Sequence, residues 1–497
     1  MKIHNIRYYC LLFLSVTLFT SCADFLDREP ISSLPQKNMW QTSRDVEAGI
    51  NDIYFNFRTT MRNNFFYWGE LRADNFEVKT PGSGEMDKLI SNIMTSDLSC
   101  TLWTNLYKTI NSANSAIKNI PDADVSIEEN KKYYLAQAYA MRALCYFYAV
   151  RVWGDVPVYL EPTEDIGKIK YSYRIPMKKV LNDVILPDLI EAELNMKATS
   201  RERKRISRYG LYAIMADVYL WLENYDMVIA TVDKFNNALS TTGAYAFETS
   251  ISNLSSIMSN DLNRKPSDDS TDSDEYGNAK ELLFLIHFNK EEWNTSSWIW
   301  TLFGGGTAGT LKLTEDFTNL FLTADRIGDL RAKYFAKEDG MVKYVPEGAN
   351  IPYTAWSECE MAYPVYRTTE LYLMKAEAFA RQSKWDDALS IIKENIRKRA
   401  AGSTLSNPIY TATKTSGDFA SVEELVDYIL EEKRIELVGE GKRWFDLVRT
   451  GRWKKLPKYS KNDAEGKVYI PEYQKLFPIN FRHIDENPEY IKQNPGY

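Results

Sequence analysis

A short stretch of this chain combines tryptophans with small polar residues, a combination that suits a polar ligand with apolar faces. Trp293, Trp298 and Trp300 are interleaved with the run Asn294-Thr295-Ser296-Ser297. The C–H faces of a sugar pack on aromatic rings, and its hydroxyl groups need amide, hydroxyl or charged partners. The stretch predicts a carbohydrate-binding surface, although the alternation of Trp298 and Trp300 also fits one buried face of a strand.

A second candidate binding site follows from an aromatic residue that lies close to charged and amide groups. Tyr67 and Trp68 precede Arg72, Asp74 and Asn75. We expect Trp68 and Asp74 to contact a ligand. The alternative is a core aromatic residue beside a surface ion pair.

Catalytic chemistry has little support in the sequence, so we predict no catalytic residues and no enzyme. His287 and His483 lie far apart, and neither belongs to a HExxH or cysteine-rich motif, which argues against a metal hydrolase or a histidine-based triad. A glycosidase needs only two carboxylates at a fixed separation. A surface glycosidase therefore stays an alternative.

No cofactor or metal site is expected. The acidic run Ser267–Glu275 suggests calcium, since hard cations take oxygen ligands, but Tyr276 stands where an EF-hand needs Asp or Asn. We favour a solvated loop and keep bound calcium as the alternative. Gly304-Gly305-Gly306 lacks the Lys-Ser/Thr of a phosphate-binding loop.

The first residues predict export and lipid attachment. Residues 1–21 combine a positive start with an apolar run, and Phe19-Thr20-Ser21 directly precedes Cys22. This order is typical of a lipoprotein signal peptide in which the Cys22 thiol is acylated. The apolar run is shorter than the ~20 residues needed to span a bilayer. The alternative is an ordinary secretory signal with an incidental cysteine.

Composition indicates a globular protein and argues against nucleic acid as a partner. Of 497 residues, 44% are hydrophobic and 26% charged, and the net charge of −7 becomes −9 once Lys2 and Arg7 are removed with the signal. A phosphate backbone demands a basic excess that this chain lacks. Cys100, Cys145 and Cys359 have no regular spacing and do not indicate a disulfide framework.

Apolar spacing predicts a mainly α-helical fold. Apolar residues recur every three or four positions from Trp103 to Ile117 and from Tyr134 to Val152. Ser207 can cap a further helix, with Ile206 and Leu211 as a hydrophobic staple. Its buried stripe would contain Tyr209, Tyr212, Ala216 and Tyr219.

Two segments resemble copies of one helical hairpin. Ala216 and Tyr225 in the first are spaced as Ala376 and Trp385 are in the second. Small residues let paired helices approach, and an aromatic residue fills the angle between them, which is the logic of tetratricopeptide repeats. Two unrelated hairpins are the alternative.

The hairpins are separated by a long, irregular, aromatic-rich insertion, residues 236–353. It shows little sustained periodicity, and the strand visible in it is short, Leu282 to His287. Such segments on a helical scaffold usually carry function. We predict a helical N-terminal region, 22–235, and a C-terminal region, 236–497, that includes the insertion, packed as one globular unit.

Motifs along the whole chain resemble the SusD/RagB family. They are the segment from Ile429 to Trp453, ILEEKRIELVGEGKRWFDLVRTGRW; the endings Leu476–Ile479, Asn487-Pro488 and Gln493–Tyr497; Cys22 to Asp27; Arg142-Ala143 with Trp153 to Pro157; and the hairpin at Lys375 to Ala380. None is specific alone, but together they identify the chain as a member.

The resemblance implies a nutrient-binding lipoprotein anchored on the outer face of a bacterial outer membrane. Members have a tetratricopeptide-like helical scaffold, bind oligosaccharides without known catalysis and form a lid on a SusC-like TonB-dependent transporter. We therefore expect capture of oligosaccharide or polysaccharide for import, with peptide capture, as in the RagB branch, as the alternative. The charged signature residues are expected to form ion pairs joining the last helices around a core of Trp444 and Phe445; they are Glu432, Arg434, Glu436, Arg443 and Asp446.

Overall fold

The computed structural model describes most of the chain after the first 38 residues. The described residues are 39–82, 84–164, 170–198, 202–243, 245–262, 279–288, 297–303, 309–337, 340–344, 361–462, 466 and 468–497, with backbone only for 241, 242, 297, 298, 300 and 337. The predicted lipidation site Cys22, Trp293, the acidic run, the triple glycine and Cys359 lie outside these residues.

The described N-terminal region is built mainly from helices, some of them long. They are α1 (Ser43–Gly69), α2 (Glu85–Ile90), α3 (Thr104–Asn119), α4 (Glu128–Trp153), α5 (Met177–Val180) and α6 (Leu186–Asn195). The two helices predicted from apolar spacing are present as α3 and α4. Helix α4 packs against α1, α3 and α6, which explains why nearly all of its last eighteen residues are buried.

The rest of the described chain contains thirteen further helices. They are α7 (Arg208–Trp221), α8 (Tyr225–Thr242), α9 (Ile251–Ser256), α10 (Ser297–Phe303), α11 (Glu315–Asn319), α12 (Arg331–Phe335), α13 (Thr368–Arg381), α14 (Trp385–Ile391), α15 (Lys398–Ala401), α16 (Pro408–Thr411), α17 (Val422–Glu436), α18 (Arg443–Arg449) and α19 (Phe481–Glu486). The described part of the insertion contains only short elements, as its lack of periodicity predicts.

Helix α7 begins where the sequence predicts, and it is buried more completely. The Ser207 hydroxyl oxygen accepts a hydrogen bond from the backbone N–H of Gly210 at 3.2 Å, which caps the helix. The predicted stripe is buried, and so are the other faces from Tyr209 to Leu220. The reason is tertiary, because α7 also contacts α6, α8 and α13.

The two predicted hairpins, α7–α8 and α13–α14, share a distinctive turn. Glu223 and Ser383 occupy equivalent places and have φ values of 58° and 63°, in the left-handed region that residues other than glycine seldom adopt. In each turn the residue that follows donates its backbone N–H to a carbonyl five positions earlier. Helix α13 packs on both α7 and α8, so the hairpins stack, and the tetratricopeptide-like scaffold is confirmed.

The described strands are short and pair two by two. They are β1 (Phe76–Val78), β2 (Val156–Pro157), β3 (Arg174–Ile175), β4 (Leu282–Ile286), β5 (Leu311–Leu313), β6 (Ala336–Lys337), β7 (Gly340–Met341), β8 (Tyr363–Arg367), β9 (Lys461–Asn462) and β10 (Val468–Tyr469). The antiparallel pairs are β1–β5, β2–β3, β4–β8, β6–β7 and β9–β10. The strand predicted at Leu282 is present as β4, and all five of its residues are buried.

One hydrophobic core connects the two regions of the chain. Its buried members run from Val46 in α1 to Ile491 near the C-terminus, and Phe57 stacks on Phe284 with ring centroids 6.1 Å apart. A smaller core cluster lies between α13, α14 and α17. Across the described residues, no helix combines the length and the apolar character needed to cross a membrane.

Candidate functional site

Trp68, predicted as a ligand contact, lies in the core. Its side chain is fully buried, its indole N–H donates to the carbonyl oxygen of Cys100 at 2.8 Å, and its ring meets Trp153 edge to face at 5.2 Å. A ring enclosed in this way offers no face to a ligand. The geometry therefore corrects the binding prediction for Trp68 and matches the alternative of a core aromatic residue.

Asp74, the other half of that prediction, is held by arginines. Its carboxylate accepts two hydrogen bonds from Arg443, both at 2.9 Å, and lies 3.5 Å from Arg434. Burial raises the pKa of Asp74, but Arg443 and Arg434 outweigh it and hold this pKa well below its usual range. Asp74 thus joins the segment after α1 to the C-terminal helices, as the ion-pair alternative predicts, but the pair is largely buried.

The backbone at Trp298 and Trp300 is helical, whereas the alternative interpretation expects an extended strand. Residues 297–303 form helix α10, so the interpretation of Trp298 and Trp300 as one face of a strand is wrong. Helix α10 buries Ile299, Leu302 and Phe303. The side chains of Trp298 and Trp300 lie outside what the structure describes, and their role in binding stays a prediction.

The charged residues of the C-terminal signature form ion pairs, as predicted. The Glu432 carboxylate is fully buried and lies within 3.0 Å of guanidinium nitrogens of Arg326, Arg331 and Arg397. Burial alone raises the pKa of Glu432, but the three arginines reverse that effect and hold it far below its usual range. This carboxylate is consequently ionised and fully compensated.

Glu436, one helical turn later in α17, repeats this arrangement. It lies 2.6 Å from Arg399 and 2.9 Å from Arg367. Burial raises the pKa of Glu436, but Arg399 and Arg367 are the leading causes that lower it to about 2. Two buried carboxylates on one helix are therefore enclosed by guanidinium groups.

The signature network extends further than expected. Its partners come from β8, from the segments around α12 and α15 and, through Glu281, from the residue before β4. It therefore fastens the last helices to distant parts of the chain, not only to one another. Trp444 and Phe445 are 1% and 5% exposed, which confirms their place in the core.

A cavity of about 530 Å³ opens where α3, the segment after β2 and α19 meet. Its lining mixes aromatic rings with amides and charged groups: Trp103, Tyr107, Lys108, Asn111, Asn114, Tyr159, Glu486 and Asn487. We call it the aromatic cavity. Its composition suits a ligand that presents both apolar faces and hydroxyl groups.

Helix α3 supplies one wall of the aromatic cavity through its spacing. Tyr107, Asn111 and Asn114 stand four and seven residues apart, on one helix face. The Tyr107 hydroxyl donates to the carbonyl oxygen of Pro157 at 2.6 Å, and the Asn114 amide donates to that of Tyr159 at 2.9 Å. These bonds hold the segment after β2 against α3.

Three tyrosines beside the aromatic cavity, two of them exposed and the third half-buried, form a surface that we call the tyrosine cluster. Tyr171 and Tyr173 are 48% and 58% exposed, and their rings lie 5.6 and 4.8 Å from that of Tyr490. Between them, the backbone N–H of Ser172 donates to the Tyr159 hydroxyl at 3.3 Å. The cluster therefore adjoins the cavity wall.

The C-terminal segment forms the opposite wall. Arg174 donates to the carbonyl oxygen of Lys492 at 2.8 Å, and the Asn494 side-chain amide donates to the carbonyl oxygens of Trp153 and Phe477 at 3.1 and 2.7 Å. These contacts tie the chain end to β3 and α4. They thereby position the Tyr490 ring.

His483 in this wall has a structural role. Its ring stacks on Trp103 at 4.8 Å, and its Nε2 accepts a hydrogen bond from the Trp103 backbone N–H at 3.1 Å. Burial, then the charge of Arg482, lowers the pKa of His483 to about 4. At neutral pH the ring is uncharged and Nε2 is engaged.

Sequence reasoning missed this site. The sequence patterns place Trp103 only in a predicted helix and Asn487 only in the motifs at the chain end. A usable signal was the motif Tyr171-Ser172-Tyr173, which places two aromatic rings on one side of an extended segment. No group of three or more His, Cys, Asp or Glu able to hold a metal ion occurs among the described residues, and the calcium alternative rests on residues outside them.

Comparison with known proteins identifies the family. A model described as "SusD family" matches residues 264–497, and one described as "Starch-binding associating with outer membrane" matches residues 24–220. A SusD-like protein of Formosa agariphila is 26% identical over the full length of both chains. The starch-binding protein SusD of Bacteroides thetaiotaomicron is 31% identical over 157 residues, which are 31% of this chain and 24% of that protein.

Solved structures share the fold. A SusD superfamily protein from Bacteroides thetaiotaomicron is 20% identical, with a TM-score of 0.68 over 92% of this chain and 99% of that one. NanU of B. fragilis is 23% identical, with a TM-score of 0.70 over 95% and 100%. A laminarin-binding SusD-like protein has a TM-score of 0.68 at 20% identity over 92% and 100%. The chain belongs to the SusD/RagB family of carbohydrate-binding, outer-membrane-associated proteins.

Proposed function

We propose that this protein captures oligosaccharides at the cell surface, with the aromatic cavity and the tyrosine cluster as the binding surface. The observation that carries the proposal is that Tyr159, which lines the cavity together with Tyr107 and amides, is hydrogen-bonded to Ser172, the residue between the exposed rings of Tyr171 and Tyr173. Sugars use both kinds of surface. The structural similarity to a laminarin-binding protein supports glycans as the ligand class.

The proposal includes no covalent step. A glycosidase needs two carboxylates that flank the scissile bond, and Glu486 is the sole carboxylate among the described lining residues of the aromatic cavity. His483 adds no free base through Nε2. Binding without turnover therefore suits this site best.

Attachment and delivery complete the proposed role. The order Phe19-Thr20-Ser21-Cys22 supports a lipid anchor at Cys22, and family membership supports an outward-facing lid on a SusC-like TonB-dependent transporter. Replacing Cys22 with Ala should release the protein from washed membranes of cells that lack the transporter. Retention of this variant would contradict the anchor.

The binding surface is tested on the soluble chain without residues 1–22. Calorimetry against laminarin, starch oligosaccharides and a peptide panel identifies the ligand class, and analysis of chain lengths after overnight incubation detects hydrolysis. Tyr171→Ala and Tyr173→Ala should each weaken glycan binding by ~1–3 kcal/mol, by analogy with a base stacked on an aromatic ring. Their melting temperatures should change little, because both rings are exposed.

Tyr469 provides the matched control. Its exposure of 47% is nearly the same as that of Tyr171, at 48%, but it lies on β10 and is not part of the tyrosine cluster. Tyr469→Ala should leave affinity unchanged. Trp298→Ala and Trp300→Ala test the insertion prediction on the same ligands. Unchanged affinity in both cluster variants, or binding of peptides alone, would refute the proposed surface.

A further inference from the structure

A second cavity, of about 460 Å³, adjoins the aromatic cavity and offers hydrogen-bonding groups instead of stacked rings. Its lining includes Arg62 of α1, Thr104 and Asn105 at the start of α3, and Arg482, His483 and Glu486 of α19. His483 supplies the only ring among the described lining residues. We call this space the polar cavity.

The polar cavity and the aromatic cavity share part of their walls. Thr104, His483 and Glu486 line both, and two of these three residues, Thr104 and Glu486, are exposed. The two cavities therefore open side by side on one surface. A chain of linked sugars that is held in the aromatic cavity can continue along the shared wall into the polar cavity.

Amides of the aromatic cavity are already engaged by the protein itself. The side-chain oxygen of Asn111 accepts a hydrogen bond from the backbone N–H of Thr163 at 2.7 Å. The Asn114 amide donates to the carbonyl oxygen of Tyr159 at 2.9 Å, and its oxygen accepts from Arg142 at 2.8 Å. These bonds fix the wall. A sugar that stacks on the rings there keeps hydroxyl groups that need further partners.

The polar cavity presents side chains that the protein does not engage. Arg62, Thr104 and Asn105 are exposed, and their side chains form no hydrogen bond or ion pair within the described part of the chain. A guanidinium group, a hydroxyl and an amide together supply both donors and acceptors. These are the groups that the hydroxyls of a sugar require.

Helix α19 adds a carboxylate and a second guanidinium group to this cavity. The Glu486 side chain is 68% exposed and lies 4.0 Å from Nδ1 of His483. Burial, then the charge of Arg482, lowers the pKa of His483 to about 4, so at neutral pH the ring is uncharged and leaves Glu486 without an ionic partner there. Neighbouring hydroxyl groups of a sugar can donate to a carboxylate and accept from guanidinium groups.

We propose that the polar cavity binds the next sugar of an oligosaccharide whose preceding rings stack in the aromatic cavity. The proposal rests on the proposed glycan-binding function and names its substrate class, a neutral oligosaccharide long enough to occupy both cavities. The aromatic rings hold the ligand. The side chains of Arg62, Asn105, Arg482 and Glu486 recognise the hydroxyl groups of the sugar beyond them.

Two series of neutral oligosaccharides test the length requirement on the soluble chain that begins at residue 23. Calorimetry compares laminaribiose with laminarihexaose and maltose with maltohexaose. In the series that binds, the hexasaccharide should bind at least tenfold more tightly than the disaccharide, because only the longer chain reaches the polar cavity. Equal affinity for the two lengths would refute the proposal.

Variants locate the length advantage. Asn105→Ala/Arg482→Ala should reduce it to within twofold and leave the affinity for the disaccharide within twofold of that of the unaltered protein. The melting temperature should change little, since both side chains are exposed. Arg44→Ala/Asn237→Ala is the matched control, because these residues are of the same types, are exposed and line neither cavity. The control should keep the full length advantage.

The outcomes distinguish this proposal from the proposed function. A length advantage that survives Asn105→Ala/Arg482→Ala refutes the polar cavity as a binding site and leaves the aromatic cavity unaffected. Loss of affinity for both lengths in Tyr171→Ala and Tyr173→Ala supports the glycan surface independently. If neither series of oligosaccharides binds, both proposals are wrong.

Discussion

At the scale of single residues, buried ion pairs define the structure of the C-terminal signature. Glu432 and Glu436 are fully buried between arginines that are themselves almost fully buried. Burying a charge is costly, and its partner must stay in place to offset that cost. Glu432 and Glu436 therefore have a structural role in the C-terminal signature, although carboxylates beside guanidinium groups could suggest acid–base chemistry. We call this set of buried ion pairs the lock.

Neighbouring residues on α17 allow this lock to be tested. Glu432→Gln should lower the free energy of unfolding by ~3–5 kcal/mol, because it leaves three buried arginines short of one counter-charge. Glu431→Gln is the control: Glu431 pairs with Arg326 at 2.8 Å, and its side chain is 43% exposed. The control should lose at most ~1 kcal/mol. Urea denaturation measures both, and equal losses would contradict the lock.

At the scale of elements, the repeated hairpin is defined by its turns as well as by its helices. Glu223 and Ser383 are exposed and share a left-handed backbone. In both copies this conformation lets the chain reverse within a few residues and start the next helix. Equivalent strained positions in two copies indicate that the turn geometry, not the side chain, is what the hairpin requires.

This interpretation predicts opposite effects of two substitutions at one site. Ser383→Gly should raise the free energy of unfolding by up to ~1 kcal/mol, since glycine tolerates positive φ. Ser383→Val should lower it by a similar or larger amount, because a β-branched residue is strained there. Lys384→Gly, at a φ of −91°, is the control and should not stabilise. Thermal unfolding of the three variants tests the prediction, which fails if both glycine variants behave alike.

At the scale of the whole molecule, the N-terminal and C-terminal regions share one core and one charge network. Phe57 packs on Phe284, and Asp74 pairs with Arg443. The aromatic cavity also needs both, since α3 forms one wall and the C-terminal segment the other. Neither region completes its core or the site alone.

Separating the regions should therefore abolish folding. A fragment covering residues 23–235 should lack a cooperative unfolding transition and bind a hydrophobic dye, because it exposes the core face that β4 and β8 cover. The intact soluble chain from residue 23 provides the control. Urea titration followed by tryptophan fluorescence tests this, and a cooperative transition in the isolated fragment would show that the N-terminal region is a domain of its own.

The sequence alone determined the helical class, the positions of α3, α4 and α7, the hairpin repeat and the ion-pair character of the signature. These properties depend on local spacing, capping and residue type, which neighbouring positions specify. The tertiary structure decided which aromatic residues are buried and which are exposed. Trp68 and Tyr173 are both aromatic residues next to polar groups in sequence, but one is enclosed by Trp153 and Cys100 and the other lies on the surface.

The binding surface could not be predicted from local sequence patterns, for the same physical reason. The aromatic cavity combines residues from α3, from the segment between β2 and β3 and from the last residues of the chain. Spacing along the chain specifies neighbours within one helix or strand. Contacts between residues hundreds of positions apart form only when the chain folds around a common core.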